Sequence, residues 1–185
     1  MQYAVSDIHG CYDKYIQFLR RIDFKESDTL YVLGDMIDRG PDGLKILLDI
    51  SMHPNIIPFL GNHESVALTC LPWLMEEVTV YEETEAGGRE FVLVHAGLGG
   101  FSPERALDDY QLDELILSRP DPGQTWFRDK YLVFGHTPTP YYTGVPDCRD
   151  ARIFRKDKLI AIDCGCSAGG PLGCICLDTL EEFYV

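Results

Sequence analysis

Asp35, Asp38 and Arg39 follow an apolar run within five residues in TLYVLGDMIDRGPDG, a set that can hold a cation with one residue and an anion with another. Surface turns also carry charge, so these three residues alone read equally as a solvated loop. Four more stretches repeat the pattern: Ser6-Asp7-Ile8-His9-Gly10, Gly61-Asn62-His63-Glu64, His95-Ala96-Gly97 and Gly135-His136-Thr137 each follow a short apolar run. Asp7 and His9 are two apart, so an extended segment turns both to one side. Asp35 can bridge two cations with its two oxygens, Asn62 offers a neutral oxygen, and His95 and His136 each offer an imidazole nitrogen. Mixed carboxylate and imidazole ligands suit Mn²⁺, Fe or Zn²⁺ better than Ca²⁺ or Mg²⁺. Two such ions, roughly 3.5–4 Å apart, clamp the attacking and leaving oxygens of a phosphoryl transfer. Four of the five histidines lie in these endings. The fifth, His53, reads as an ordinary residue near a helix end.

The charged residues then divide by position. Asp35 directly follows the apolar run and is expected to bind metal. Arg39 reaches further, toward a phosphate, where a planar guanidinium grips two oxygens. Asp38 lies too far along the turn for the same metal and is expected to pair with His63. A carboxylate beside a histidine favours the protonated ring, and a protonated His63 would serve a leaving group as general acid.

These residues need strands to position them. QYAV, TLYVL, NIIPFL, EFVLV and KYLVF are short, bounded by Gly or polar residues, and read as buried strands. Helical patterns lie between them. CYDKYIQFLRRI turns Tyr12, Ile16 and Leu19 to one face, DGLKILLDISM does so with Leu44, Leu47 and Leu48, and HESVALTCLPWLM is a third helix, interrupted by Pro72. Alternating strands and helices indicate an α/β fold, whose strand C-terminal ends are where ligands bind. ARIFRKDKLIAIDCG and LGCICLDTLEEFYV read as antiparallel strands joined by tight turns, so two packed sheets flanked by helices are expected. Ser102-Pro103-Glu104 reads as a helix start, DYQLDELILSR as a short helix, and residues 99–124 together as a candidate helical cap.

The 185 residues suit one domain, 1–185, with a real core. No run approaches the roughly 20 apolar residues that span a bilayer, and no export signal is evident in MQYAVSDIHG, so a cytoplasmic protein without membrane partners is expected. The formal charge of −14 disfavours nucleic acid partners and a nuclease. The seven cysteines are expected to be reduced. Cys164, Cys166, Cys174 and Cys176 read as structural; their C-x-C spacing differs from the C-x₂-C of a zinc knuckle.

In order, DIHG, GDMIDRG, GNHE, HAG and GHT resemble the phosphoprotein phosphatase branch of the calcineurin-like metallophosphoesterases, and more narrowly the small bacterial serine/threonine phosphatases. IDCGCSAGGPLGCICLD resembles the family's closing strands. The resemblance implies a four-layer αββα sandwich. It implies two divalent metal ions, Mn by preference, the first held by Asp7, His9 and Asp35, the second by Asp35, Asn62, His95 and His136. It also implies His63 as general acid, Asp38 as its orienting partner, Arg39 as a phosphate clamp, and in-line attack by a bridging hydroxide without a phosphoenzyme. Two positions depart from the family pattern: Leu60 stands where Arg is usual and Ser6 where Gly is usual. Arg128, in QTWFRDKYLVFGHT, is the candidate for a second clamp. The leading expectation is a phosphomonoesterase acting on phosphoserine or phosphothreonine in proteins or on a small phosphoester. The alternatives are a dinucleoside polyphosphate hydrolase and a non-catalytic metal-bound scaffold.

Overall fold

A computed structural model of the protein describes residues 1–68 and 79–185. Two five-stranded sheets stack face to face. Sheet one contains β1 (Gln2–Val5), β2 (Thr29–Val32), β3 (Ile56–Pro58), β9 (Gly173–Cys176) and β10 (Glu182–Tyr184), in the order β10-β9-β1-β2-β3. Sheet two contains β4 (Tyr81–Ala86), β5 (Arg89–Val94), β6 (Lys130–Phe134), β7 (Phe154–Lys156) and β8 (Leu159–Ala161), in the order β4-β5-β6-β8-β7. β1, β2 and β3 run parallel, as do β5, β6 and β8, while β9, β10, β4 and β7 pair antiparallel. The parallel strands therefore release their loops at one edge of each sheet.

Side-chain alternation splits the core into three layers. Ala4, Tyr31, Leu33, Phe91, Leu93, Val133, Ile160 and Ile175 fill the space between the sheets. Their strand neighbours Tyr3, Val5, Leu30 and Val32 face α1 (Tyr12–Arg21) and α2 (Gly43–Ser51). On the far side, Val92, Val94, Leu132 and Phe134 pack under Leu98, Tyr110, Leu115, Ile116 and Trp126. The result is helix, sheet, sheet, helix.

The helices differ from expectation in which face they bury. In α1 the stripe centres on Tyr15 and Phe18, with Tyr12, Ile16 and Leu19 half-buried beside it. In α2 it is Gly43, Ile46 and Ile50 that are buried, whereas Leu44 and Leu48 are exposed. Gly43 explains the rotation: a Cβ there would lie 3.0 Å from Ile37 Cα, so the bare backbone makes the close contact. α3 spans Asn62–Leu68, and the rest of the expected third helix, with Pro72, lies outside the described residues.

Residues 99–124 form the fourth layer, over the outer face of sheet two. Ser102-Pro103-Glu104 makes a turn rather than a helix, followed by a short 3₁₀ turn at Leu107–Asp109 and by α4 (Leu112–Ile116). Arg105 locks this layer, with Nη1 and Nη2 donating to Glu114 at 2.9 and 2.6 Å and its guanidinium lying over the Tyr110 ring. Among the described residues no helix is long and apolar enough to cross a membrane.

Candidate active site

Every expected metal ligand lies just past the C-terminal end of a strand, Asn62 as the first residue of α3. Asp7 and His9 follow β1, Asp35 follows β2 and Asn62 follows β3, all in sheet one; His95 follows β5 and His136 follows β6, in sheet two. The cluster therefore straddles the seam between the sheets. Asp7, His9, Asp35, Asp38, Arg39 and His136 all have φ between 46° and 65°. That left-handed conformation costs an L-residue roughly 1–2 kcal/mol, and it persists only where the surroundings impose it.

Glu64 does much of the imposing. Its buried carboxylate accepts the backbone N–H groups of Asp35 (2.7 Å), Met36 (2.9 Å), Ile37 (3.1 Å) and Gly61 (3.1 Å), fastening the β2 loop to the β3 loop. Burial, then the adjacent Asp35 charge, push the Glu64 carboxyl above its ordinary pKa, and the N–H groups of Ile37 and Asp35 pull it back. The β1 loop is tied to the same frame by His9 N–H to Asp35 carbonyl and Gly10 N–H to Met36 carbonyl, both 2.9 Å. Gly61 has to be glycine, because a Cβ there would run into the Asp35 carboxylate.

The imidazoles are oriented from behind. His9 Nδ1 faces the Ile37 carbonyl at 3.0 Å and His95 Nδ1 faces the Leu33 carbonyl at 2.7 Å, so each carries its proton there and aims a lone pair from Nε2 into the cluster. Among the described residues His9 Nε2 is buried without a hydrogen-bond partner, 3.5 Å from Asp35 Oδ2 and 3.8 Å from Asp7 Oδ1. His95 Nε2 lies 3.5 Å from Asp35 Oδ1, 3.1 Å from Asn62 Oδ1 and 3.3 Å from His136 Nδ1, and His136 Nδ1 lies 2.9 Å from Asn62 Oδ1. Burial, above all, lowers the pKa of His9 and takes His136 down to about 4, keeping both rings neutral. Burial, opposed by His95 and reinforced by the Asp7 charge, raises Asp35. Neutral imidazoles, carboxylates and an orphaned ring nitrogen converging without a cation of their own fit divalent metal ions. Among the described residues, His9–Asp35–His63 and Asp35–His95–His136 form the groups close enough to hold a metal, and no cysteine joins them.

His63 Nδ1 stands 2.9 Å from Asp38 Oδ2, and its Nε2 is 3.8 Å from Asp35 Oδ2 and 3.4 Å from Arg39 Nη2. Arg39 Nη1 also donates to Ser167 Oγ at 3.2 Å. Arg128 does not join them. It precedes β6, whereas His136 follows the same strand, and five residues of strand span about 16 Å. It is exposed and lines a separate cleft with Lys156, Asp157 and Lys158 at the opposite sheet edge. The second arginine near the cluster is Arg119, just past α4, whose charge contributes to the low pKa of His136. It has no carboxylate partner among the described residues and lies 5.9 Å from the Tyr141 ring.

Sequence reasoning also passed over Asp163. It is buried behind Asp7, and burial, then the Asp7 charge, push its carboxyl well up. It follows β8 as Asp35 follows β2, so the same strand-ending pattern points to it. Of the two departures from the family pattern, Leu60 is buried in the fold, and Ser6 donates its hydroxyl to Asp7 Oδ2. The cysteines are structural in position: Cys164 lies between the sheets, while Cys166, Cys174 and Cys176 lie on the helix side of sheet one. Cys11, Cys148, Cys164, Cys166, Cys174 and Cys176 are free thiols. His53 sits at the end of α2, with Nδ1 2.7 Å from the Asp49 carbonyl.

A sequence-family model described as calcineurin-like phosphoesterase matches residues 3–165. The chain belongs to the calcineurin-like phosphoesterases. A curated relative of this phosphoesterase, the symmetrical bis(5'-nucleosyl)-tetraphosphatase of Legionella pneumophila subsp. pneumophila, is 37% identical over 164 aligned positions that cover 74% of this chain and 57% of its own. The phosphoesterase chain thus spans about half the length of the curated relatives it matches. A crystal structure of a provisionally named diadenosine tetraphosphatase superposes with a TM-score of 0.78 at 21% identity, over 100% of this chain and 92% of that one. A protein serine/threonine phosphatase from Saccharomyces cerevisiae superposes with a TM-score of 0.64 at 15% identity, over 94% of this chain and 71% of that one. At these identities the two superpositions show the fold alone.

Proposed function

We propose that this phosphoesterase hydrolyses dinucleoside polyphosphates, cleaving a phosphoanhydride rather than a protein phosphomonoester. The observation that carries this reading is the 37% identity to a bis(5'-nucleosyl)-tetraphosphatase across most of the chain. The likeness to a protein phosphatase is one of fold, at 15% identity, and lends the phosphoserine expectation no comparable support.

Asp7, His9 and Asp35 would hold one divalent ion, and Asp35, Asn62, His95 and His136 the second, Mn²⁺ by preference and Fe or Zn²⁺ otherwise. When bound, such ions supply Lewis acidity and lower the pKa of water. Arg39 and Arg119, neither paired to a carboxylate among the described residues, grip the non-bridging oxygens of the polyphosphate. Asp38 fixes the His63 ring through Nδ1, and Nε2 hands a proton to the departing phosphate oxygen.

The test is a substrate panel on the Mn²⁺-supplemented protein: diadenosine tetraphosphate, a phosphoserine peptide and p-nitrophenyl phosphate. The expected result is a kcat/KM for diadenosine tetraphosphate about tenfold or more above that for the peptide, a gap of about 1.4 kcal/mol in the barrier. Equal or faster turnover of the peptide returns the protein to the phosphomonoesterase reading.

A further inference from the structure

Beside the metal-ligand loops lies a cleft of about 290 Å³, lined by Leu98, Gly99, Phe101, Ser118, Arg119 and Gln124, with Trp126 beneath. Leu98 and Gly99 continue the loop that carries His95, and the segment holding Arg119 packs directly on that loop, since a Cβ at Gly97 would lie 2.9 Å from Ser118 Oγ and 2.5 Å from Pro120. The cleft therefore opens from the cluster through a cation. We propose that it is a nucleobase site: one base of the substrate lies against Phe101 while its phosphates pass Arg119 toward the metal ligands. This rests on the nucleotide-hydrolase reading and adds to it the place where the base is recognised.

Phe101 is half-buried, backed by the Trp126 ring at 4.8 Å and by the edge-on Phe127 ring at 4.9 Å. Its ring is held from behind, which makes it a platform rather than a swinging side chain. Hydrogen-bonding groups surround it. Gln124 reaches the Phe101 carbonyl only weakly through Nε2, at 3.5 Å, and its amide oxygen has no partner among the described residues. Ser118 Oγ is also without a hydrogen-bond partner among the described residues. An aromatic platform, an amide, a hydroxyl and a guanidinium with no carboxylate partner among the described residues match an aromatic heterocycle joined to a phosphate chain. At about 290 Å³ the volume lies just below the roughly 300–1,000 Å³ range for small-molecule sites, room for a nucleoside rather than a folded peptide.

The experiment compares AMP with ribose 5-phosphate, which share a phosphate and a sugar and differ by the base. Dissociation constants are measured by calorimetry on Mn²⁺-loaded His63→Asn protein, used to suppress turnover. AMP is expected to bind about tenfold or more tightly than ribose 5-phosphate, the scale of one base stacked on one ring. Adding Phe101→Leu is expected to bring that ratio close to one. A ratio near one in the Phe101 protein overturns the proposal, whether or not the leucine variant folds, and so does a preference that survives Phe101→Leu. Failure of the nucleotide-hydrolase reading looks different. Base preference without hydrolysis of diadenosine tetraphosphate keeps the cleft and removes the hydrolase, whereas hydrolysis without base preference does the reverse.

Discussion

Asp35 is the residue on which the cluster closes, because its two carboxylate oxygens face His9 and His95 at 3.5 Å each. It can do so only with a left-handed backbone, which the Glu64 carboxylate holds in place through four N–H groups. The two arginines are separated by experiment. Arg119→Ala is expected to raise KM for diadenosine tetraphosphate about tenfold, the loss of one charge-assisted hydrogen bond of roughly 1.5–3 kcal/mol. Arg128→Ala is expected to change it less than twofold, and steady-state kinetics on the two variants settles which cation meets substrate. That Asp7, His9, Asp35, Asn62, His95 and His136 gather past the strand ends was legible in the sequence, because each stands directly after a short apolar run, where parallel strands release their loops. Arg119 was not, since it follows no strand and is brought near His136 by the path of the segment after α4. Arg128 misled because local sequence spacing does not say at which end of β6 a residue stands.

At the scale of elements, the strands were legible from their boundaries and the helical faces less so. α2 is apolar on more than one side, and counting periodic leucines selected Leu44 and Leu48 over the stripe that Gly43 sets. The outer layer hangs on a different bond. Arg105 holds the Glu114 carboxyl at about 2, below its ordinary 4.5, chiefly through their hydrogen bond. A carboxylate held low contributes stability that is complete above about pH 4.5 and disappears as the pH falls through about 2. Protection of the α4 amides from hydrogen exchange, taken relative to their intrinsic rates, should therefore fall on acidification across that window while that of the sheet strands holds. Glu114→Gln should flatten the profile; an unchanged profile in that variant would place the acid sensitivity elsewhere. The buried thiols follow the same environmental logic: burial takes Cys164 and Cys166 to about 12, which leaves them protonated and poor nucleophiles at neutral pH.

For the molecule as a whole, the formal charge of −14 is not only a surface property, because Asp7, Asp35, Glu64 and Asp163 are buried together beneath the strand ends. Divalent cations binding there should stabilise the folded chain by about 2.7 kcal/mol at a hundredfold excess over Kd. For a chain of this size that corresponds to a rise in Tm of roughly 5–10 °C. Differential scanning fluorimetry with Mn²⁺, followed by EDTA, reads it directly, and a Tm indifferent to divalent ions would contradict the assigned ligands. The seam between the sheets carries a last consequence. Because Asp35 belongs to one slab and His95 to the other, with Leu33, Leu93 and Val133 sandwiched between, the spacing of the ligand cluster is a vernier for how the slabs are aligned. A core substitution that slid one past the other by an ångström would leave the strand content intact, yet pull the two halves of the cluster out of step.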